Sequence, residues 1–341
     1  MRREENAAVD FGKLFCCICI LFLHTGAYHE VYYGERIKML LLNWTVQFFF
    51  IVSGFFVGKK IVEKFELLKE SVLLYVRRLL YPYIGFLALN SMFLAYDLYK
   101  QGESFKWSIL KLVRAAIFYP PGSLWYVWAS IVGIIIIYKL YGKMYGKRIW
   151  IIGILLYFIG LLGNSYYFVL MSEVSKKIVD AYLKVAVTTR NGLFVGFPLL
   201  LLGIELARYE GNFRGKKKLL SIIMMMVLSF GLMQYEASII IEKNVGHENT
   251  VLILYPIIAS LFFIILLNIK WIPSKMNMIA IRKLSMDIYF LHRPTLTCMR
   301  YFNKWRGIEL SHLAEFWILL IISLIICIPI VICQKKKYRY I

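Results

Sequence analysis

Apolar residues gather in long runs broken by short polar stretches, and the runs fall near 14–33, 39–58, 79–99, 122–141, 149–170, 190–207, 218–235, 251–269, 284–301 and 314–333. A helix needs about 20 residues, at about 1.5 Å each, to cross a hydrocarbon layer roughly 30 Å thick. The pattern therefore predicts an all-α, polytopic transmembrane bundle of about ten spans. The first and ninth runs are the weakest, because each carries a histidine. Residues 104–118 differ: Phe105, Ile109, Leu112, Val113 and Ala116 recur at helical spacing with Lys106, Lys111 and Arg114 elsewhere, which predicts a helix lying in the interface.

An even number of spans puts both termini on one side. Lys and Arg are denser in the connections that share that side, above all Lys59 to Arg78, Arg208 to Lys218 and the tail Lys335-Lys336-Lys337-Tyr338-Arg339, so both termini are expected to be cytoplasmic. The first run lacks a small-residue cleavage site and is expected to remain as a span. No stretch between runs looks long enough to fold apart, so residues 1–341 are expected to form a single integral-membrane domain, multi-pass in the cell membrane, with no appended soluble domain.

Composition agrees: 60% of residues are apolar and 18% charged, mean hydropathy is +0.66, and a soluble domain carries about a quarter charged residues. The balance of 41 Lys and Arg against 20 Asp and Glu, net +21, would raise nucleic-acid binding in a soluble protein. Here the cations sit between apolar runs, and the anionic headgroups of a lipid bilayer are the expected partner. The six cysteines, Cys16, Cys17, Cys19, Cys298, Cys327 and Cys333, fall inside apolar runs and read as small buried residues.

Ionisable residues inside the runs are the candidates for chemistry. Lys13 and His24 lie three helical turns apart, on one face and roughly 16 Å apart along the axis. Asp10 precedes Lys13 by three residues and can pair with it. An imidazole kept from water stays neutral and can accept a proton from a hydroxyl, as a general base must; a hydrogen bond between helices is the other use of such a residue. Ser53-Gly54 permits close helix approach or a local break. Arg77-Arg78 before Tyr81-Pro82-Tyr83 suits either phosphate binding or anchoring at the inner edge. Arg190-Asn191-Gly192 opens the sixth run, where an arginine faces the positive end of the helix dipole unless an anion or partner offsets it. Ser285 and His292 share a face of the ninth run, with Tyr289 one turn from His292. His29, His247 and His312 lie at span ends or in connections and read as solvated. Neither HExxH nor GxSxG occurs, so neither metal binding nor serine-nucleophile chemistry is expected.

Taken in order, these residues resemble the acyltransferase type 3 family over nearly the whole chain. The resemblance is carried by Lys13, ten positions and His24; by Phe48-Phe49-Phe50-Ile51-Val52-Ser53-Gly54-Phe55-Phe56; by Arg78 ahead of Pro82; by Ser123-Leu124-Trp125-Tyr126; by Thr189-Arg190-Asn191-Gly192-Leu193-Phe194 with Gly196-Phe197-Pro198; and by Ser285-Met286-Asp287-Ile288-Tyr289-Phe290-Leu291-His292. It implies transfer of an acyl group, usually acetyl, from acyl-CoA at the cytoplasmic side onto a hydroxyl of a carbohydrate or other envelope molecule, with no tightly bound cofactor. His24 matches the family's catalytic histidine. Lys13 stands where the family commonly has arginine, and Tyr75 stands at the first member of the family's Arg-x-x-Arg, whose second member Arg78 matches. Lys13, Ser53, Arg78, Trp125, Arg190, Asn191 and His292 are the implied donor- or substrate-binding residues. The competing reading is a transporter of a small polar solute such as an amino acid, with Lys13, His24 and His292 lining its path.

Overall fold

The structure, a computed structural model, describes residues 6–141, 143, 147–243, 249–269 and 278–338. Among these there is no strand, and the fold is all-helical. Thirteen α-helices follow in order: α1 (Ala7–Thr25), α2 (Gly34–Ile37), α3 (Trp44–Glu63), α4 (Leu68–Lys100), α5 (Phe105–Phe118), α6 (Trp125–Tyr141), α7 (Lys147–Leu162), α8 (Glu173–Ala186), α9 (Phe197–Arg208), α10 (Lys216–Lys243), α11 (Tyr255–Asn268), α12 (Met278–Arg306) and α13 (His312–Tyr338).

Each of the ten apolar runs coincides with one helix, and the stretch expected to lie in the interface is α5. Among the described residues, five segments are long and apolar enough to cross a membrane: Ala7–Thr25, Gly34–Glu63, Phe65–Lys100, Lys217–Lys243 and His312–Ile332. Shorter apolar helices cover Trp125–Tyr141, Arg148–Leu162 and Tyr255–Asn268. These are the helices of a membrane protein.

Boundaries differ from expectation for local reasons. The first run, expected to continue to residue 33, ends as a helix at Thr25, because Gly26 adopts φ +80° and returns its amide to the Leu23 carbonyl. The fifth, expected to reach residue 170, stops at Leu162; Asn164 beyond it accepts the amides of Thr250 and Val251, each at 3.0 Å, and so ties the loop to a second loop. The sixth begins with a π-helical turn over Gly192–Gly196. The sequence pattern missed α8, a short helix with Glu173, Lys176, Lys177, Asp180 and Lys184 among exposed Val174, Ile178 and Val185. Arg114 of α5 donates to the carbonyls of Lys184 and Val185 and so caps the end of α8 with a cation.

Contacts divide the chain into two compact units. The first comprises residues 1–48, 213–234 and 257–341. In it α12 packs against both α1 and α13, and the ring of Phe262 on α11 meets Phe15, Trp44 and Phe48. The second comprises residues 49–212 and 235–256, with α6 against α4 and α9, and α7 against α9. Here Gly54 realises the expected close approach: a Cβ on it would lie 2.1 Å from the backbone oxygen of Leu200.

Candidate functional site

In the first unit the site is built by α1 and α12. Asp10, Cys17 and His24 are spaced by seven residues, two turns each, and fall on one face of α1. That face meets Arg282, Ser285 and His292 of α12 in the same order, so the two helices run in the same direction. Arg282 donates to both oxygens of Asp10, with its Nη2 at 2.8 Å, and Lys13 reaches Asp10 at 2.9 Å. Asp10 is only 1% exposed, and a buried carboxylate is tolerated when paired in this way. Lys13 and Arg282 thus share a single carboxylate. Ser285 turns back onto the Arg282 carbonyl at 2.9 Å, while its own carbonyl accepts the Cys17 thiol at 3.4 Å.

Two turns further along, the rings of His24 and His292 stack, with centroids 5.2 Å apart and planes 20° from parallel. His292 is fully buried. Its Nδ1 lies 2.5 Å from the Tyr289 carbonyl oxygen, and its Nε2 is buried with no hydrogen-bond partner among the described residues. Beyond the pair, Arg300 donates to Glu315 at 2.6 Å and to the Thr25 carbonyl at 3.1 Å, placing a cation at the C-terminus of α1 just past His24. The Arg300–Glu315 pair was missed in the sequence; a base and an acid at facing ends of two predicted spans, just inside each, was the available signal. His29 and His312 are about half exposed, as expected of solvated residues, and His247 lies outside the described residues. Between them Glu30 accepts the amides of His312 at 2.5 Å and Leu313 at 3.1 Å, which caps α13. Burial alone would raise the Glu30 carboxyl, but these amides outweigh it and hold it below the usual glutamate range.

The second unit gathers the other candidates into two clusters. Arg190 lies over the rings of Tyr119 (5.5 Å) and Trp125 (5.2 Å), and its Nη2 donates to the Tyr119 hydroxyl at 2.7 Å. The aromatic faces and the hydroxyl help to offset the unfavourable helix-start position expected for this arginine. Trp125 is delivered by the turn through Gly122 and Ser123, both at positive φ; any Cβ at Gly122 would strike the Asn90 side chain. Asn191 is bound into the fold: its Oδ1 accepts from Leu193 and Phe194, and its Nδ2 donates to Tyr182 at 2.6 Å. It caps the turn that opens α9, as asparagine before a helix commonly does.

The second cluster centres on Ser53, whose hydroxyl lies 3.5 Å from that of Tyr126. The hydroxyls of Tyr75 and Ser130 are buried and adjoin the same pair, with the Arg78 guanidinium within electrostatic reach. Arg78 itself is exposed on α4. Tyr75, noticed only as a departure from a motif, thus belongs to the polar knot beside Arg78; Tyr126 and Ser130 were not singled out for chemistry. Among the described residues no group of three or more His, Cys, Asp or Glu side chains could hold a metal ion.

The helical unit carries a stacked pair of histidines, one of them fully buried, and the comparison with known families gives its class. The model of the acyltransferase type 3 family, described as "Acyltransferase domain", matches residues 6–332, and the chain belongs to that family. Among curated proteins it is similar to an "Amino-acid racemase" of Enterococcus faecalis, at 26% identity over 99% of this chain and 47% of the relative. It is also similar to a "Serine/alanine racemase" of Enterococcus gallinarum, at 24% identity over 94% of this chain and 45% of the relative. The chain thus spans about half the length of the curated relatives it matches. No solved structure matches it.

Proposed function

We propose that the protein is a cell-membrane acyltransferase that moves an acetyl group from acetyl-CoA to a hydroxyl of an envelope carbohydrate or related molecule, with both termini of the chain cytoplasmic. The observation that carries the reading is the stacking of His24 on His292 inside a helical unit of an acyltransferase family. His24 acts as general base: it takes the proton of the acceptor hydroxyl as the oxygen attacks the thioester carbonyl. The C–O bond forms, the C–S bond breaks, and the CoA thiolate leaves with the electron pair and takes up a proton. Lys13, held with Arg282 on Asp10, keeps a positive field at the other end of the α1 face. Arg78 receives the phosphates of the donor from the cytoplasm, and the Ser53, Tyr75, Tyr126 and Ser130 hydroxyls line its approach. Arg190, ordered by Trp125 and Tyr119, faces an anionic or polar group of the acceptor.

Transfer from labelled acetyl-CoA in membranes, compared between the parent and Arg78→Ala at equal amounts of folded protein, tests the donor assignment. A higher acetyl-CoA requirement in the variant supports it, and equal binding by the two makes Arg78 an anchor only. A second reading, a carrier for a small amino acid, is favoured by the names of the racemase relatives. Solute uptake by the parent without any acyl transfer would establish it in place of the first.

A further inference from the structure

Two apolar stripes run along α8. Val179, Tyr182, Leu183 and Ala186 are buried or half-buried against the protein, and there the Tyr182 hydroxyl accepts the Asn191 amide at 2.6 Å. Val174, Ile178, Ala181 and Val185 recur at intervals of four, three and four and make a second, outward face. Along it Val174 is 67%, Ile178 65% and Val185 56% exposed. Scattered exposed apolar residues are ordinary, but an aligned face of them marks a contact. The surroundings say which contact. Arg114 of α5 donates to the last carbonyls of α8 and so holds it at the level of α5. Tyr99 near the end of α4 and Trp107 near the start of α5 are both exposed at that level, and such rings gather at a membrane–water boundary. Lys111 and Lys176 are paired with Glu103 and Glu173. Lys177 and Lys184 are exposed and belong to no ion pair among the described residues.

We propose that α8 lies in the plane of the membrane surface beside α5, with its outward apolar face sunk among lipid chains and Lys177 and Lys184 on the phosphates of anionic lipids. A helix with an apolar face flanked by lysines binds a lipid surface through buried apolar area and attraction to anionic headgroups. Lys177 and Lys184 are seven residues apart, two turns along one edge of the face, so both meet the headgroups at one level. A second copy of the chain on the same face would instead bring like charges together. Because Tyr182 on the inward stripe holds Asn191, the lipid contact backs the turn that carries Arg190.

The test uses the full chain in nanodiscs of equal parts phosphatidylcholine and phosphatidylglycerol, each lipid carrying its own label. The photocrosslinker benzoylphenylalanine takes the place of Ile178 in one variant and of Glu173, off that face and with its side chain 76% exposed, in another. Illumination is expected to join position 178 to lipid and to leave position 173 with a small fraction of that yield. The adducts at 178 should favour phosphatidylglycerol by about fivefold, the scale of one lysine at an anionic surface. Lys177→Gln combined with Lys184→Gln should bring the two lipids to parity without abolishing capture. Equal lipid yields at the two positions overturn the inference, as does a product of two joined chains from position 178, which would make a second copy the occupant. Equal capture of both lipids with the lysines intact overturns it as well. If the bulky side chain at 178 prevents folding, benzoylphenylalanine in place of Val174 reads the same face, with the same outcomes.

Discussion

Arg282 closes on Asp10 from 272 positions away in the chain, its guanidinium donating to both carboxylate oxygens at 2.8 to 3.2 Å. Lys13 occupies the same carboxylate at 2.9 Å. One acid thus keeps two cations together inside the first unit, and Asp10→Asn would leave them side by side with nothing between. Loss of one partner from a buried ion pair costs about 3–5 kcal/mol. Thermal unfolding in detergent should show Asp10→Asn destabilised on that scale, whereas a shift close to zero would mean that water screens the cluster.

His24→Gln keeps a hydrogen-bonding side chain of similar reach but cannot accept a proton near neutral pH. A positioned base contributes about 10²- to 10⁴-fold in rate. Acetyl transfer by the variant, measured against equal folded protein, is expected to fall by that factor with little change in unfolding temperature; near-parental transfer removes His24 from the chemistry.

Arg190 and Trp125 are expected to be energetically coupled. Cation–π contacts contribute about 0.5–2 kcal/mol, depending on how far they are withdrawn from water. In a double-mutant cycle of Arg190→Gln and Trp125→Leu, read by unfolding, the two losses should fall short of additive by an amount in that range. Strict additivity would show that the ring and the guanidinium merely pass one another.

The backbone of Leu200 leaves no room for a side chain at Gly54. Overpacking of this kind typically costs about 1–3 kcal/mol, so Gly54→Ala should lower the unfolding temperature clearly. Gly231, whose added Cβ would meet nothing within 4 Å, provides the control: Gly231→Ala should be neutral or slightly stabilising, because alanine suits a helix better than glycine.

Glu30 connects acidity to the start of α13. Its carboxyl is held below the usual glutamate range by the amides of His312 and Leu313, against the opposing effect of burial. A depressed folded-state value means stability that is fully present above the unfolded value of about 4.3 and is lost as pH falls through the folded value. Unfolding temperature followed from pH 7 down to pH 3 should therefore drop more steeply for the parent than for Glu30→Gln. Identical slopes would exclude the cap as a source of acid sensitivity.

How much of this could be read beforehand depends on the range of the interaction. Apolar runs locate helices because lipid demands them, so all ten runs fall on helices, and α5 was visible from its periodicity. The ends were less legible: Gly26 stops α1 through a single left-handed residue, and α8 carries too many charges to stand out as apolar. His24 and His292 were each conspicuous as histidines in apolar runs, but their pairing depends on the register of α1 against α12, which no local pattern encodes. Arg190 and Trp125 were named separately and are neighbours for the same reason. Asn191 was a candidate contact, and its position just ahead of a helix was already the mark of a cap.

The arrangement of α1, α12 and α13 bears on how the protein is made. Asp10 is synthesised ahead of Arg282, its bidentate partner 272 positions further along the chain. The α12 helix carries Arg282, Lys283, Asp287, His292, Arg293 and Arg300 and is absent from the segments apolar enough to cross a membrane unaided. Placing such a segment alone in hydrocarbon is unfavourable by about 2.5–3.5 kcal/mol for each charge near its centre. An α1 that enters the membrane ahead of α12 offers the Asp10 carboxylate to Arg282 and offsets part of that cost.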